Sequence, residues 1–236
     1  MPDATLRALA ELGLEFVQFG PAVRLNPSRA EQFGLRSIAS ATWNLFPGDR
    51  NLRRTLGIAR DAGFEAVSLL AGGNLLNDAE VFGRAGEIAE AQAELGVRVV
   101  LETHRATITE SISRTVEIAE RFPDLRFNLD LSHWFVTHRL DRVSLEEFVE
   151  QASVVLTRVE LLHGRVSSFD EIQTPLSEAR CRDMFQGVWD WVVAHAEVPV
   201  GFAPELLPTT MGYARRTDRA RWEDSLELLR SSRVIR

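Results

Sequence analysis

Residues 77–104 read NDAEVFGRAGEIAEAQAELGVRVVLETH. Asn77, followed by Asp78, Ala79 and Glu80, is a capping start for a helix that runs to Gly96. The mostly apolar run VRVVL then reads as a buried strand. It ends in Glu102, and His104 lies two residues on. A helix, a strand and a pair of ligand-type side chains at the strand's C-terminal end make one unit of a (β/α) barrel, the fold that builds its active site at that end.

The same unit recurs in both directions along the chain. DATLRALAELG precedes LEFVQFG, SRAEQFG precedes LRSIASATW, and NLRRTLGIARDAG precedes FEAVSLLAGG. TESISRTVEIAERFP precedes LRFNLDLSHW, SLEEFVEQASVVL precedes RVELLHG, and SEARCRDMFQGVWDWVVAHAE precedes VPVGFAPEL; RARWEDSLELLR is a last helix. The helices carry stripes such as Leu52, Leu56 and Ala59, and Ser144 with Glu147 fits a capping box. The strands are near-continuous apolar runs, as parallel strands covered on both faces require. The count is seven strands and eight helices, so a (β/α)8 barrel lacks its first strand or carries it in degenerate form. An open doubly wound sheet is the competing architecture, and its sites also lie at the carboxyl ends of strands. No low-complexity linker divides the sequence, which predicts one domain over residues 1–236. A gap would leave two strand edges unpaired, and such edges favour pairing with a second copy, a homo-oligomer.

Composition narrows the functions. The chain has 236 residues, 45% hydrophobic and 26% charged, which is globular. No apolar run approaches the roughly 18 residues of a membrane span, and the N-terminus lacks a signal peptide's basic start, so a cytoplasmic protein with no membrane partner is expected. The net charge of -7 disfavours a nucleic-acid surface. One cysteine, Cys181, precludes an internal disulfide. All 27 Lys+Arg residues are arginine, which excludes Schiff-base chemistry, covalent pyridoxal phosphate and a P-loop with its lysine.

Four strand ends carry candidate ligands: Glu102, Asp130 with His133 in FNLDLSHW, His163 with Arg165 in VELLHGR, and Glu205 in VGFAPEL. Intervals of 28, 33 and 42 residues separate Glu102, Asp130, His163 and Glu205, each fitting one βα unit, the last lengthened. Three carboxylates and an imidazole on one rim suit a hard or borderline divalent cation, Mn²⁺ foremost, with Mg²⁺, Co²⁺ or Zn²⁺ compatible. Each residue has a plainer reading: an ion pair with Arg98 or Arg105 for Glu102, an N-cap for Asp130, a satisfied structural histidine for His163, a surface carboxylate for Glu205. His104, Arg105, His133 and Arg165 are candidates to bind a small-molecule substrate's hydroxyl, carboxylate or phosphate oxygens. Trp43 and Trp134 follow strands and are candidate pocket walls; Gly72 and Gly73 form a weak candidate anion site.

With ETHR, LDLSHW and HGRV in these places, the chain resembles the xylose isomerase-like TIM-barrel superfamily and, within it, sugar phosphate isomerases/epimerases. The resemblance runs from LRALAELGLEFVQFG to the last helix. It implies that Glu102, Asp130, His163 and Glu205 hold one metal, and that Arg165 matches an arginine found shortly after the metal-binding histidine. The sequence departs from relatives in its missing first strand, in Gln18 where they often have Glu, and in lacking the histidines of multi-zinc endonucleases on ATWNLF and LLAGG. The resemblance implies isomerisation or epimerisation of a sugar or other hydroxy-carbonyl compound, with Glu102 and Glu205 moving the proton of an enediolate mechanism. A dehydratase or other lyase of cyclitol or secondary metabolism, and a non-catalytic barrel with a decayed site, are the alternatives.

Overall fold

The unit read first from the sequence folds as its residues dictate. In helix α4 (Asp78–Leu95) the Asn77 side chain accepts from Glu80 N at 3.1 Å, and the Glu80 carboxylate accepts from Asn77 N at 3.0 Å, closing the capping box. Val81, Ala85, Ile88 and Ala91 form its buried stripe. Gly96 ends the helix in the left-handed conformation, at φ 62°, which lacks a Cβ penalty only for glycine. All four residues of strand β4 (Val99–Glu102) are buried, because helices or the barrel interior cover both faces.

The computed structural model describes residues 3–20, 27–46, 48, 50–176, 179–207 and 218–231. Its strands are β1 (Phe16–Phe19), β2 (Arg36–Trp43), β3 (Ala66–Ala71), β4, β5 (Arg126–Leu129), β6 (Val159–His163) and β7 (Gly201–Ala203). They form one seven-stranded sheet in sequential order, every neighbouring pair parallel. The helices are α1 (Asp3–Glu11), α2 (Pro27–Glu31), α3 (Leu52–Asp61), α4, α5 (Ile112–Arg121), α6 (Leu131–His138), α7 (Leu145–Leu156), α8 (Ala179–His195) and α9 (Asp218–Ser231). Among the described residues this is one helix more than the sequence reading gives. The addition is α6, whose buried Leu131, Trp134 and Phe135 continue the apolar run of β5 without a break, so that LSHWFVTH reads as strand.

The sheet curls into a nearly closed parallel barrel. A Cβ on Gly201 of β7 would lie 3.2 Å from the ring of Phe16 in β1, so the two ends of the sheet approach each other although no β1–β7 strand pairing occurs among the described residues. Seven strands therefore stand where eight close a full barrel. The open doubly wound alternative is thereby set aside. The small side chains of Ala66 and Gly201 leave a cavity of about 370 Å³ at the N-terminal end of the strands, bordered also by Phe16, Ile38, Val100 and Leu161. Around that end the arginines alternate with glutamates: Arg36 pairs with Glu15 and Glu65, Arg98 with Glu65 and Glu160, and Arg126 with Glu160 and Glu197. No helix among the described residues is long and apolar enough to cross a membrane.

At the opposite end, the loops after β2 and β3 pack backbone against backbone. A Cβ on Gly72 would lie 2.2 Å from the Asn44 carbonyl oxygen and 2.8 Å from Leu45 Cα. Backbone cannot swing aside as a side chain can, so Gly72→Ala is expected to destabilise the protein by about 1–3 kcal/mol. Gly83, exposed on α4 with nothing within 4 Å of its added Cβ, gives the opposite sign: Gly83→Ala should stabilise by about 0.5–1 kcal/mol through helix propensity. Thermal denaturation of the two variants checks both, and an unchanged midpoint for Gly72→Ala would contradict the loop packing.

Candidate metal centre

Consecutive strands deliver the candidate ligands to one rim. Glu102 is the last residue of β4, His163 the last of β6, and Glu205 lies two residues past β7. Asp130 follows β5 and is the N-cap of α6, its Oδ1 accepting from Ser132 N at 3.1 Å and from the Ser132 hydroxyl. The capping reading of Asp130 and its ligand reading are thus compatible, because each uses a different oxygen. Thr103 fixes the backbone beneath: its hydroxyl donates to Asp130 O at 3.1 Å and accepts from Asp130 N at 2.9 Å.

His163 Nδ1 is the focus. It lies 3.2 Å from Glu205 Oε2, 3.7 Å from Asp130 Oδ2 and 3.8 Å from Glu102 Oε1. None of these close contacts to Nδ1 has hydrogen-bond geometry. One ligand atom from each of Glu102, Asp130 and His163 falls within 4.8 Å of the others. Neighbouring donors around a common ion at about 2.0–2.2 Å lie roughly 3–3.5 Å apart, so the cluster fits a divalent cation. Three of the four predicted ligands share this cluster, and Glu205 joins it through His163. The ion pairs considered for Glu102 do not form: Arg98 is held by Glu65 and Glu160 at the other end of the barrel, and Arg105 is exposed on the rim.

Arg165 is 1% exposed. Its Nη2 pairs with Asp130 Oδ2 and lies 3.1 Å from Glu205 Oε2, and its Nε donates to Ser132 Oγ at 3.1 Å. The substrate contact expected of Arg165 therefore shares the residue with a structural task among the carboxylates. His133 is buried beside it, with Nε2 3.3 Å from Arg165 Nη2 and 3.6 Å from Asp130 Oδ2, while Nδ1 has no hydrogen-bond partner. The His104 and His133 rings lie 3.7 Å apart between centroids, so these two candidate substrate contacts are neighbours.

Two other expectations resolve differently. Trp43 and Trp134 are core residues, the latter packed against Phe148 with its indole N–H on Thr109 O. The Gly72 and Gly73 amides donate to Trp43 O and Ala106 O, which occupies the N–H groups an anion would need.

Sequence reading overlooks the polar support from Ser68 and Asn128, and marks Gln18 only as a departure from relatives. Ser68 Oγ donates to Glu102 Oε2 at 2.9 Å; Asn128 Nδ2 donates to Ser68 Oγ at 2.8 Å and to Glu102 Oε2 at 3.3 Å. Gln18 Oε1 lies 2.9 Å from His163 Nε2. Ser68 and Gln18 are lone polar residues in apolar strands, AVSLLA and FVQF, and Asn128 lies between the apolar Phe127 and Leu129 in RFNL. That mismatch is the signal that marks them.

Burial, reinforced by Glu205 and Asp130 against His163, pushes Glu102 up to about 7. Burial also opposes ionisation of Asp130, but Arg165, His133 and His163 outweigh it and hold the carboxyl well below its ordinary value. For Glu205, His163 and Arg165 likewise overcome burial and lower it. Burial works against the His163 imidazolium, yet Glu205 and Glu102 prevail and raise it well above the ordinary value. Burial pulls His133 well below its usual value, and His104 below its own.

No protein-family model matches the chain, and no curated protein is similar to it in sequence. Solved structures share its fold. A xylose isomerase-like TIM barrel protein from Mycobacterium smegmatis, in complex with magnesium, is 18% identical over 99% of this chain and 89% of its own, with a TM-score of 0.62. A sugar phosphate isomerase/epimerase from Parabacteroides distasonis is 16% identical over 99% of this chain and 89% of its own, at 0.63. A probable 3-DHS dehydratase involved in petrobactin synthesis, from Bacillus anthracis, is 16% identical over 96% and 91%, also at 0.63.

In the cation-free protein Glu102, raised to about 7, is partly protonated near neutral pH and His163, raised well above its ordinary value, carries a proton; a cation at Nδ1 competes with both. Raising the pH through the Glu102 value of about 7 removes one competitor. Mn²⁺ affinity is therefore expected to rise from about pH 6 to about pH 8, with up to two protons released per ion. Titration calorimetry in buffers of differing ionisation enthalpy measures both, and a pH-independent affinity without proton release would exclude these residues as the ligands.

Proposed function

We propose that the chain is a divalent-cation-dependent isomerase or epimerase acting on a sugar or another hydroxy-carbonyl compound. The observation that carries this reading is the buried His163 Nδ1 ringed by the carboxylates of Glu102, Asp130 and Glu205 at 3.2–3.8 Å. A bound divalent cation, Mn²⁺ foremost with Mg²⁺, Co²⁺ or Zn²⁺ compatible, would act as a Lewis acid that polarises a substrate carbonyl and acidifies the neighbouring C–H. Glu102, Asp130, His163 and Glu205 are the residues that would hold it.

Glu102 and Glu205 are the proton carriers. A reversible epimerisation needs one carboxylate on each side of the reacting carbon, each serving as base in one direction and acid in the other. Their environments differ: Glu102 is buried, whereas the Glu205 side chain is 30% exposed. His133 offers its unpartnered Nδ1, and Arg165 its positive charge, to the developing enediolate oxygens. His104 and Arg105, further out on the rim, bind substrate hydroxyls.

One observation favours a second reading, a lyase. His133 is held neutral, carries an unpartnered Nδ1 and sits against His104; protonated on substrate binding, either ring is suited to deliver a proton to a departing β-hydroxyl.

The test is turnover of a panel of hydroxy-ketones and ketoses in D₂O with the Mn²⁺-loaded protein, followed by NMR and mass spectrometry. Deuterium is expected at the carbon next to the carbonyl, with exchange reduced by a factor of about 10² or more in Glu102→Gln and in Glu205→Gln. A product lighter by one water selects the lyase. No exchange and no product across the panel, from a protein that binds the cation, would point to the barrel with a decayed site.

A further inference from the structure

We infer that Gln18 is a positioning residue of the metal centre: its side-chain carbonyl accepts the Nε2–H of His163 and thereby presents a bare Nδ1 to the cation. This rests on the cation reading given above and extends it to a strand that carries none of the ligands.

A neutral imidazole has one N–H, and which nitrogen bears it is set by the partner of the other. His163 Nδ1 faces the three carboxylates. If its lone pair serves a cation, Nε2 must carry the hydrogen, and a buried N–H needs an acceptor. Two groups approach Nε2, Gln18 Oε1 and Asn128 Nδ2, each at 2.9 Å. Asn128 Nδ2 is a donor, and its two hydrogens already have Ser68 Oγ at 2.8 Å and Glu102 Oε2 at 3.3 Å. Of these two atoms, Gln18 Oε1 is the acceptor.

At the far end of the amide, Nε2 donates to Ser40 Oγ of β2 at 2.8 Å, with the carbonyl toward His163. Rotating the amide by half a turn would put an NH₂ against His163 Nε2. The ring would then have to accept there and carry its hydrogen on Nδ1, where the cation belongs. The side chain thus selects the tautomer that binds metal. It reaches His163 from β1, the edge strand of the sheet, so the docking of that strand is coupled to the readiness of a ligand on β6.

Two variants separate this role from general packing. Gln18→Leu keeps much of the volume and removes the acceptor; Gln18→Glu keeps an acceptor and strengthens it. With Mn²⁺ titrated by calorimetry, Gln18→Leu should bind about 10–100-fold more weakly than the parent protein. Gln18→Glu should bind at the parent level or tighter. A role in packing alone predicts the reverse order, because at this half-buried position a carboxylate disturbs packing more than leucine does. Equal affinities for the parent and Gln18→Leu would overturn the inference and leave the cation reading intact, whereas a parent protein that binds no divalent cation would overturn both. Should Gln18→Leu fail to fold, the nitrogen chemical shifts of His163 in the Zn²⁺-loaded parent decide the matter: the hydrogen on Nε2 supports the inference, and the hydrogen on Nδ1 refutes it. With five histidines in the chain, the assignment is tractable.

Discussion

The ion pair between Asp130 and Arg165 holds the rim together. Both side chains are buried, Asp130 fully and Arg165 to 1% exposure. Such a pair adds little net stability, because desolvating two charges cancels most of their attraction; losing one partner, however, leaves an uncompensated charge that costs about 3–5 kcal/mol. What it contributes here is geometry. Asp130 Oδ1 caps α6, Oδ2 takes the guanidinium, and Thr103 brackets the backbone at N and O. Strand β4, the β5–α6 junction and the exit of β6 are thereby fixed to one another around a single carboxylate. Arg165 also reaches Glu205 beyond β7, so the arrangement extends over four successive strand ends.

The position of the gap in the barrel matters for the same reason. The ligand-bearing strands β4, β5, β6 and β7 are hydrogen-bonded in unbroken sequence. The seam falls between β7 and β1, outside that run. A missing strand there costs two exposed edges and a partly filled interior, with the cavity bordered by Ala66 and Gly201 as its visible result. It does not move one ligand relative to another. Phe16 partly covers the seam beside Gly201, and Gln18 crosses the interior to His163, so the edge strand is tied to the centre by side chains where backbone pairing is absent.

The alternation of helices and strands was legible because burial on both faces forces near-continuous apolar runs, and those runs end where the ligands sit. The four candidate ligands stood out because Glu, Asp and His at such ends are costly unless something binds them. Helix α6 was illegible, since Leu131, Trp134 and Phe135 prolong the apolar run of β5 and the change of direction depends on the Asp130 cap rather than on periodicity. The partners of Arg165 were also hidden: spacing places it two residues beyond His163, but only the packed structure shows its guanidinium turned onto Asp130. Ser68, Asn128 and Gln18 were present as single polar letters between apolar neighbours. Their function follows from which atom each one faces, and that is set by strand register across the sheet.

Charge balance ties these features together. Glu102, Asp130 and Glu205 bring three carboxylates to the rim, and Arg165 supplies one permanent positive charge. With His163 neutral, the group is short of two positive charges in a largely buried setting, which is unfavourable. The cation-free protein meets part of the deficit with protons, as the raised values of Glu102 and His163 indicate. A divalent cation makes up the same deficit with one particle and frees both groups to act as ligands. Binding is then an exchange of protons for metal at nearly constant charge, and the arrangement of Ser68, Asn128 and Gln18 determines where the donors point once that exchange occurs. With His163 neutral, the charge of these side chains is matched by a divalent ion more closely than by a monovalent or a trivalent one.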